Sequence, residues 1–176
     1  IAKTKPFGFK AFYPGPGLGG HCLPIDPLYL SYKAKQLGVR ANFIELTNKI
    51  NSKIPKDIIN IINKNIGKKK DILILGVTYK PNIDDIRESS GIKLIKLIKK
   101  KNLHKVSYSD PYVKSLYINN KKVNSLRLNK NNVKFFDCVV LITDHECFNY
   151  KMIQKESKVI VDTRGRFKMS SKVLRG

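Results

Sequence analysis

The sequence predicts an α/β protein built on a mostly parallel sheet, and two observations carry that class. From residue 71 onward, four short apolar runs alternate with segments of helical period: DILILG (71–76), KVSYSD (105–110), CVVLIT (138–143) and SKVIVD (157–162). Short runs of this kind suit strands that helices bury from both faces. The first part of the chain differs. A segment rich in Gly, Pro and aromatics leads into two helical patterns, so a helical linker precedes the sheet.

Taken in order, residues 1–26 read as ordered loop. Asp26 before Pro27 predicts an N-cap with Pro at the first helical position, and the helix PLYLSYKAKQL follows. Leu28, Tyr32 and Lys35 share one side of it, and Gly38 stops it. A long helix is predicted over 42–66, with Asn42 and Glu45 at capping-box spacing. Its apolar stripe runs through Phe43, Leu46, Ile50, Ile54, Ile58 and Ile61 or Ile62. Pro55 is expected to bend or divide it, and Gly67 to end it. The stripe suits packing between domains or subunits, and equally an ordinary helix on its own core.

After the basic link KKK come the first strand and a helix at 89–101, with Ile92, Ile95 and Ile98 inward and Leu94 on the flank. A last helix is expected around 145–155. The predicted division is therefore a loop-and-helix region, 1–67, and a Rossmann-like domain, 68–176, with helices on both faces of the sheet. Parallel sheets bind ligands at the carboxyl ends of their strands. That edge should carry Gly76–Glu88, Asp110-Pro111, Thr143-Asp144 and Asp162–Arg166. GVTYK after the first strand holds a single Gly, so the G-x-G-x-x-G dinucleotide fingerprint is missing.

Composition narrows the function classes. An apolar share of 41% is ordinary for a globular protein, and no run approaches a membrane span. The N-terminal IAKTKPFGF has no apolar signal region, and without an initiating Met it reads as the interior of a longer protein. Cys22, Cys138 and Cys147 fit neither a disulfide framework nor a zinc ribbon, so no metal and a reducing, cytoplasmic setting are expected. Cys138 opens an apolar run and reads as a small buried hydrophobe. The formal charge of +22 comes mainly from Lys spread along the whole chain. It suits a solvated surface or an anion-attracting cleft. Specific nucleic-acid binding is not expected, because the lysines are not interleaved with stacking aromatics and no zinc-finger or RNP-type run occurs.

Chemistry concentrates in three places. In GPGLGGHCLPID (15–26), Gly15, Gly17, Gly19 and Gly20 precede Cys22. Closely spaced glycines let backbone N–H groups approach an anion or a sugar. A thiol just after such a turn can attack a substrate carbon, and cations or helix ends favour its thiolate. Asp26 is close enough to hold a water or relay a proton. The same residues also suit a structural turn with a buried Cys22 and with Asp26 as a mere cap. In GVTYKPNIDDIRESS (76–90), Lys80 can reach a phosphate or carboxylate from a strand end, and Asp84, Asp85, Arg87 and Glu88 form an ionic cluster. That cluster equally suits a salt-bridged helix start. In VIVDTRGRF (159–167), Arg164 and Arg166 follow a strand. Asp110-Pro111 reads as structural.

These runs, FYPGPGLGGHCLPIDPLYL, LGVTYKPNIDDIRES, YSDPY and VDTRGRF in this order, resemble the UDP-sugar 6-dehydrogenases. The likeness extends from Phe7 to about Phe167, and the GGHC form points to the branch acting on UDP-N-acetyl-mannosamine or UDP-N-acetyl-glucosamine. The resemblance implies NAD-dependent oxidation of the sugar C6 alcohol to a carboxylate in two steps. Cys22 would carry the thiohemiacetal and thioester, with Asp26 assisting. It implies that Phe12, Tyr13, Gly15, Gly17, Gly19 and Gly20 wrap the UDP-sugar, that Lys80 and Arg164 contact it, and that Arg87 lies near NAD. It further implies a homodimer through the helix at 42–66 and a UDP-binding role for 68–176. The family's N-terminal NAD-binding domain has no counterpart in this sequence, so the chain alone is expected not to turn over. The competing reading is a non-catalytic basic nucleotide or nucleic-acid binder, or a dimerisation module.

Overall fold

A computed structural model describes Thr4, Gly8, Ala11 and residues 13–176. Two helices come first, α1 (Cys22–Gln36) and α2 (Asn42–Ile66). The remainder is β1 (Asp71–Leu75), α3 (Ser90–Lys100), β2 (Lys105–Ser109), β3 (Ser115–Ile118), β4 (Lys121–Asn124), α4 (Lys130–Phe135), β5 (Cys138–Leu141), α5 (Tyr150–Glu156), β6 (Ile160–Asp162) and β7 (Val173–Arg175). Five strands form one sheet in the order β2-β1-β5-β6-β7, and every pairing in it is parallel. The predicted α/β class is the one found. β3 and β4 form a separate antiparallel hairpin.

Alternation along the strands builds two cores. Ile72 and Ile74 of β1, with Cys138 and Val140 of β5, face α3 and the end of α2. Leu73 and Leu75, with Val139 and Leu141, face the opposite side, where Val133 of α4 and Ile153 of α5 pack. Helices therefore cover both faces. Leu94 is fully buried, not on the flank, because α3 turns Gly91, Leu94, Ile95 and Ile98 to the sheet together.

The helical linker departs from expectation at its ends. α1 starts at Cys22, with His21 at the N-cap position, so Asp26 is inside the helix and caps nothing. Pro24 lies in the first turn, where the missing N–H has no intrahelical partner to lose. Pro27 is accommodated one turn later. The Asn42–Glu45 capping box does not form either. Ala41 is the N-cap, Asn42 is already helical, and Glu45 accepts a bond from Ser31 Oγ at 3.2 Å, tying α2 to α1. Pro55 does not divide α2, which runs on as one element. Its ring is buried, and Ile58, Ile59 and Ile62 follow it into the core beside the sheet, so tertiary packing offsets the lost backbone bond. The other half of the stripe is uncovered, with Phe43 78%, Leu46 52% and Ile50 56% exposed.

Among the described residues, no helix is long and apolar enough to cross a membrane, and no group of three or more His, Cys, Asp or Glu side chains could hold a metal ion.

Candidate functional site

Parallel strands place all their carboxyl ends on one edge. The chain runs outward from β1 to β2, then crosses back to β5 on the other side of β1. The edge between β1 and β5 is thus the topological switch point, where such sheets open a crevice. Three segments meet there: the 76–89 loop after β1, the loop after β5, and the loop after β6.

The glycine segment lies across this edge. Gly15 packs against the guanidinium of Arg164, Gly17 beside Ser90 and Asn51, and Gly19 and Gly20 against Tyr79. Gly20, at φ +86°, donates its N–H to Arg87 O at 2.9 Å, and Leu18 N donates to Asn51 Oδ1 at 2.8 Å. The loop is therefore fixed to α2, to the 76–89 loop and to the loop after β6 at once. Tyr13 is exposed beside it, and Phe12 lies outside the described residues. A cavity of about 510 Å³ opens beneath the loop between α1, α2 and α3, lined in part by Leu18, Asn51, Glu88 and Ser90.

The cations take distinct positions. Arg164 Nε donates to Ile142 O at 2.7 Å and lies 4.0 Å from Asp144. Burial pulls its pKa down, and Asp144 opposes that in part. Arg166 pairs with Asp144 at 3.5 Å and stacks its charge over the Tyr150 ring. Lys80 is exposed, 5.5 Å from the centre of the Tyr79 ring. Arg87 forks onto Asp85, with Nη2 2.6 Å and Nε 2.9 Å from Oδ2. That bond raises the arginine's pKa and lowers the carboxyl's, and Cys22 contributes in the same direction to Arg87. Glu88 pairs with Lys93 instead, so the expected ionic cluster splits into two pairs.

Cys22 is exposed at the first position of α1, at the end of the helix that carries unpaired N–H groups and the positive end of its dipole. The alternative of a buried Cys22 is not what the fold adopts. Asp26, also exposed, follows at the i+4 position on the same helical face, without a hydrogen-bond partner among the described residues. Cys138 is buried, and its thiol is pushed up to about 12 by desolvation. Cys147 is exposed at the rim of a further cavity of about 400 Å³ beside the end of β2, where Arg127 and Phe148 also line the wall.

Tyr79, Asn51 and His145 were not singled out as site residues by sequence reading, whereas Asp110 and Asp144 lie on the edge it named. Tyr79 and Asn51 hold the glycine loop, and Asp144 holds both arginines. His145 and Asp110 form a buried pair at 3.1 Å. A polar run following an apolar strand, as in TDH after CVVLI, is the signal that points to His145 beside the already expected Asp144.

The amino end of α3 and the turn after β1 lack the open glycine cradle of the dinucleotide fingerprint. Ser89 Oγ already accepts from Gly91 N at 3.1 Å and Ile92 N at 3.4 Å, which occupies the amino end of α3 that would cradle a pyrophosphate. Gly76 packs against Thr143, with no space between them for a side chain.

The UDP binding domain of the UDP-glucose/GDP-mannose dehydrogenase family matches residues 73–169, and the family's central domain matches residues 1–53. A UDP-N-acetyl-D-mannosamine dehydrogenase of Methanococcus vannielii is 35% identical over 166 residues, covering 86% of this chain and 36% of that protein. An NDP-N-acetyl-D-galactosaminuronic acid dehydrogenase of Ralstonia solanacearum is 30% identical over 155 residues, with the same two coverages. The solved structure of a UDP-D-ManNAc dehydrogenase from Pyrococcus horikoshii superposes with a TM-score of 0.76 at 29% identity, over 96% of this chain and 40% of that one. The chain thus spans little more than a third of the length of these relatives. With one family domain covering more than half of its residues, the chain belongs to the UDP-glucose/GDP-mannose dehydrogenase family.

Proposed function

We propose that this chain forms the UDP-sugar-binding and thiol-bearing part of an NAD-dependent dehydrogenase that oxidises C6 of a UDP-N-acetylhexosamine to the uronic acid. The observation that carries the reading is the docking of the 13–20 loop on Arg164 and Tyr79, next to Cys22. The loop and Tyr13 enclose the nucleotide sugar, while Lys80 and Arg164 meet its negative charge. Residues 68–176 would bind the UDP, and residues 1–67 would supply the loop, the thiol and the subunit contact.

In the chemistry proposed for this site, Cys22 Sγ adds to the C6 aldehyde, forming a C–S bond as the carbonyl oxygen takes a proton. The thiohemiacetal loses two electrons and two protons to become a thioester. Water then cleaves the C–S bond, returning the thiol and releasing the carboxylate. Asp26, one helical turn from Cys22, would take the proton from that water. NAD, when bound, would accept one hydride in turning the C6 alcohol into the aldehyde and a second in turning the thiohemiacetal into the thioester. Arg87 would lie near NAD, which the rest of the enzyme would bind.

Calorimetric titration of the chain with UDP, UDP-glucose and the two UDP-N-acetylhexosamines tests the reading. The expected result is binding of UDP and its sugars, tightest for an N-acetylhexosamine, with no NADH formed by the chain alone. Salt-dependent binding of generic DNA with no heat from any UDP-sugar would overturn it. The uncovered stripe Phe43–Leu46–Ile50 supports a homodimer through α2 in the same enzyme. A reducing, cytoplasmic setting suits the free thiols.

A further inference from the structure

The loop that carries Lys80 is held from both sides by one buried side chain. His145 and Asp110 are both sealed from solvent, with side-chain exposures of 0% and 0%. Asp110, at the end of β2, accepts from Val77 N at 2.7 Å through Oδ2 and from Tyr112 N and Val113 N through Oδ1. Its Oδ2 also meets His145 Nε2 at 3.1 Å. The other ring nitrogen, Nδ1, receives the Asn82 N–H at 3.0 Å.

These partners determine the tautomer. A backbone N–H can only donate, so Nδ1 must present a lone pair. A carboxylate can only accept, so Nε2 must carry the proton. Thr78 Oγ1 lies 3.3 Å from Nε2 and spends its own hydrogen on Lys80 O at 2.9 Å. Glu146 N donates to Asn82 Oδ1 at 3.1 Å, which closes a second bond across the same junction. The ring is braced by Tyr112 and Phe148, with centroids 5.0 and 5.3 Å away. His145 therefore grips Thr78 on one side of Lys80 and Asn82 on the other, and Asn82 holds the left-handed φ of +61° that turns the chain there.

We propose that His145 is a positioning residue: as the neutral Nε2–H tautomer between Asp110 and the Asn82 amide, it fixes the turn that presents Lys80 at the switch point of the sheet. The proposal rests on the reading of Lys80 as a contact to the nucleotide sugar, and its test separates the two. The variants are His145→Gln, whose amide offers one donor and one acceptor in place of the ring, His145→Leu, which offers neither, Lys80→Ala, and Lys80→Ala combined with His145→Leu.

UDP is the titrant, and the full 176-residue chain is the protein. His145→Leu is expected to weaken UDP about tenfold, His145→Gln to restore most of that, and His145→Leu to add nothing once Lys80 is Ala. Equal losses in the presence and absence of Lys80 would overturn the proposal. If wild type and Lys80→Ala bind UDP equally, the parent reading of Lys80 fails, and the tautomer is then decided by the ring spectrum. Nitrogen NMR of histidine-labelled wild type, assigned against His145→Gln, should show a neutral ring protonated at Nε2 at pH 7. A ring protonated at Nδ1, or at both nitrogens, sinks the clasp whatever UDP does.

Discussion

Gly15 and Arg164 touch: the glycine backbone lies on the guanidinium with no space for a side chain between them. The arginine is held in turn by the carbonyl of Ile142, so the contact ties the glycine loop to the end of β5. Gly15→Ala is expected to lift the loop and weaken UDP about tenfold, with little change in thermal stability. Calorimetry and a melting curve on the same sample check both halves of that statement.

Gly76 makes a different demand. Its φ is +77°, and Thr143 fills the space a Cβ would take. Gly76→Ala should cost about 2–4 kcal/mol of stability, read from the shift of a urea unfolding midpoint. An unchanged midpoint would show that the strand ends can separate freely.

Acid should weaken the fold in two stages. Burial holds the pKa of His104 below its ordinary value, while its Nδ1 accepts from Lys70 N and its Nε2 meets Asn63 Oδ1. A folded pKa below the unfolded one gives stability that is full above about pH 6.5 and lost as pH falls through the folded value. Burial opposes the charge of Asp110, yet the bonds from His145, Val77 and Tyr112 outweigh it and hold its pKa low. Its contribution is present above about pH 3.9 and disappears below. Urea midpoints between pH 8 and pH 3 should therefore fall on acidification, and a midpoint that rises would contradict both assignments.

The thiols should separate by accessibility. Cys22 and Cys147 are exposed, whereas Cys138 is buried with its pKa pushed up to about 12. Iodoacetamide with peptide mapping should label the first two in the folded chain and Cys138 only after unfolding. UDP-sugar should protect Cys22 and leave Cys147 unaffected.

Leu46→Asp places a charge on the uncovered half of α2. Sedimentation velocity should show weaker self-association, with the helical circular dichroism retained. A monomeric wild type would remove the dimer from the proposed function.

Four of the five strands of the sheet were legible, most clearly where a strand buried on both faces is written as one apolar run, as in CVVLI. The β3–β4 hairpin was not. Its strands are short and rich in Lys and Asn, and the turn rests on Asn119 and Asn120, both with positive φ. β7 and α4 were too short to show a period. The helix starts misled because Asp26 and Asn42 have capping chemistry but lie inside their helices, where tertiary contacts set the boundary. For the site, Cys22, the glycines and the arginines stood out by residue type. Tyr79, Asn51 and His145 act through neighbours far away in sequence, and such pairings emerge only once the chain is folded.

The undivided α2 has a mechanical consequence. At roughly 1.5 Å per residue, its 25 residues make a rod nearly 40 Å long. One end packs into the core beside the sheet through Ile58, Ile59 and Ile62, and the other is tied to α1 by Ser31 and Glu45 but leaves Phe43, Leu46 and Ile50 uncovered. Asn51, which pins the glycine loop, lies between the two and directly follows exposed Ile50. A second subunit gripping the uncovered apolar half would hold a handle rooted in this domain's own core, and its pull would pass through Asn51 before reaching the sheet.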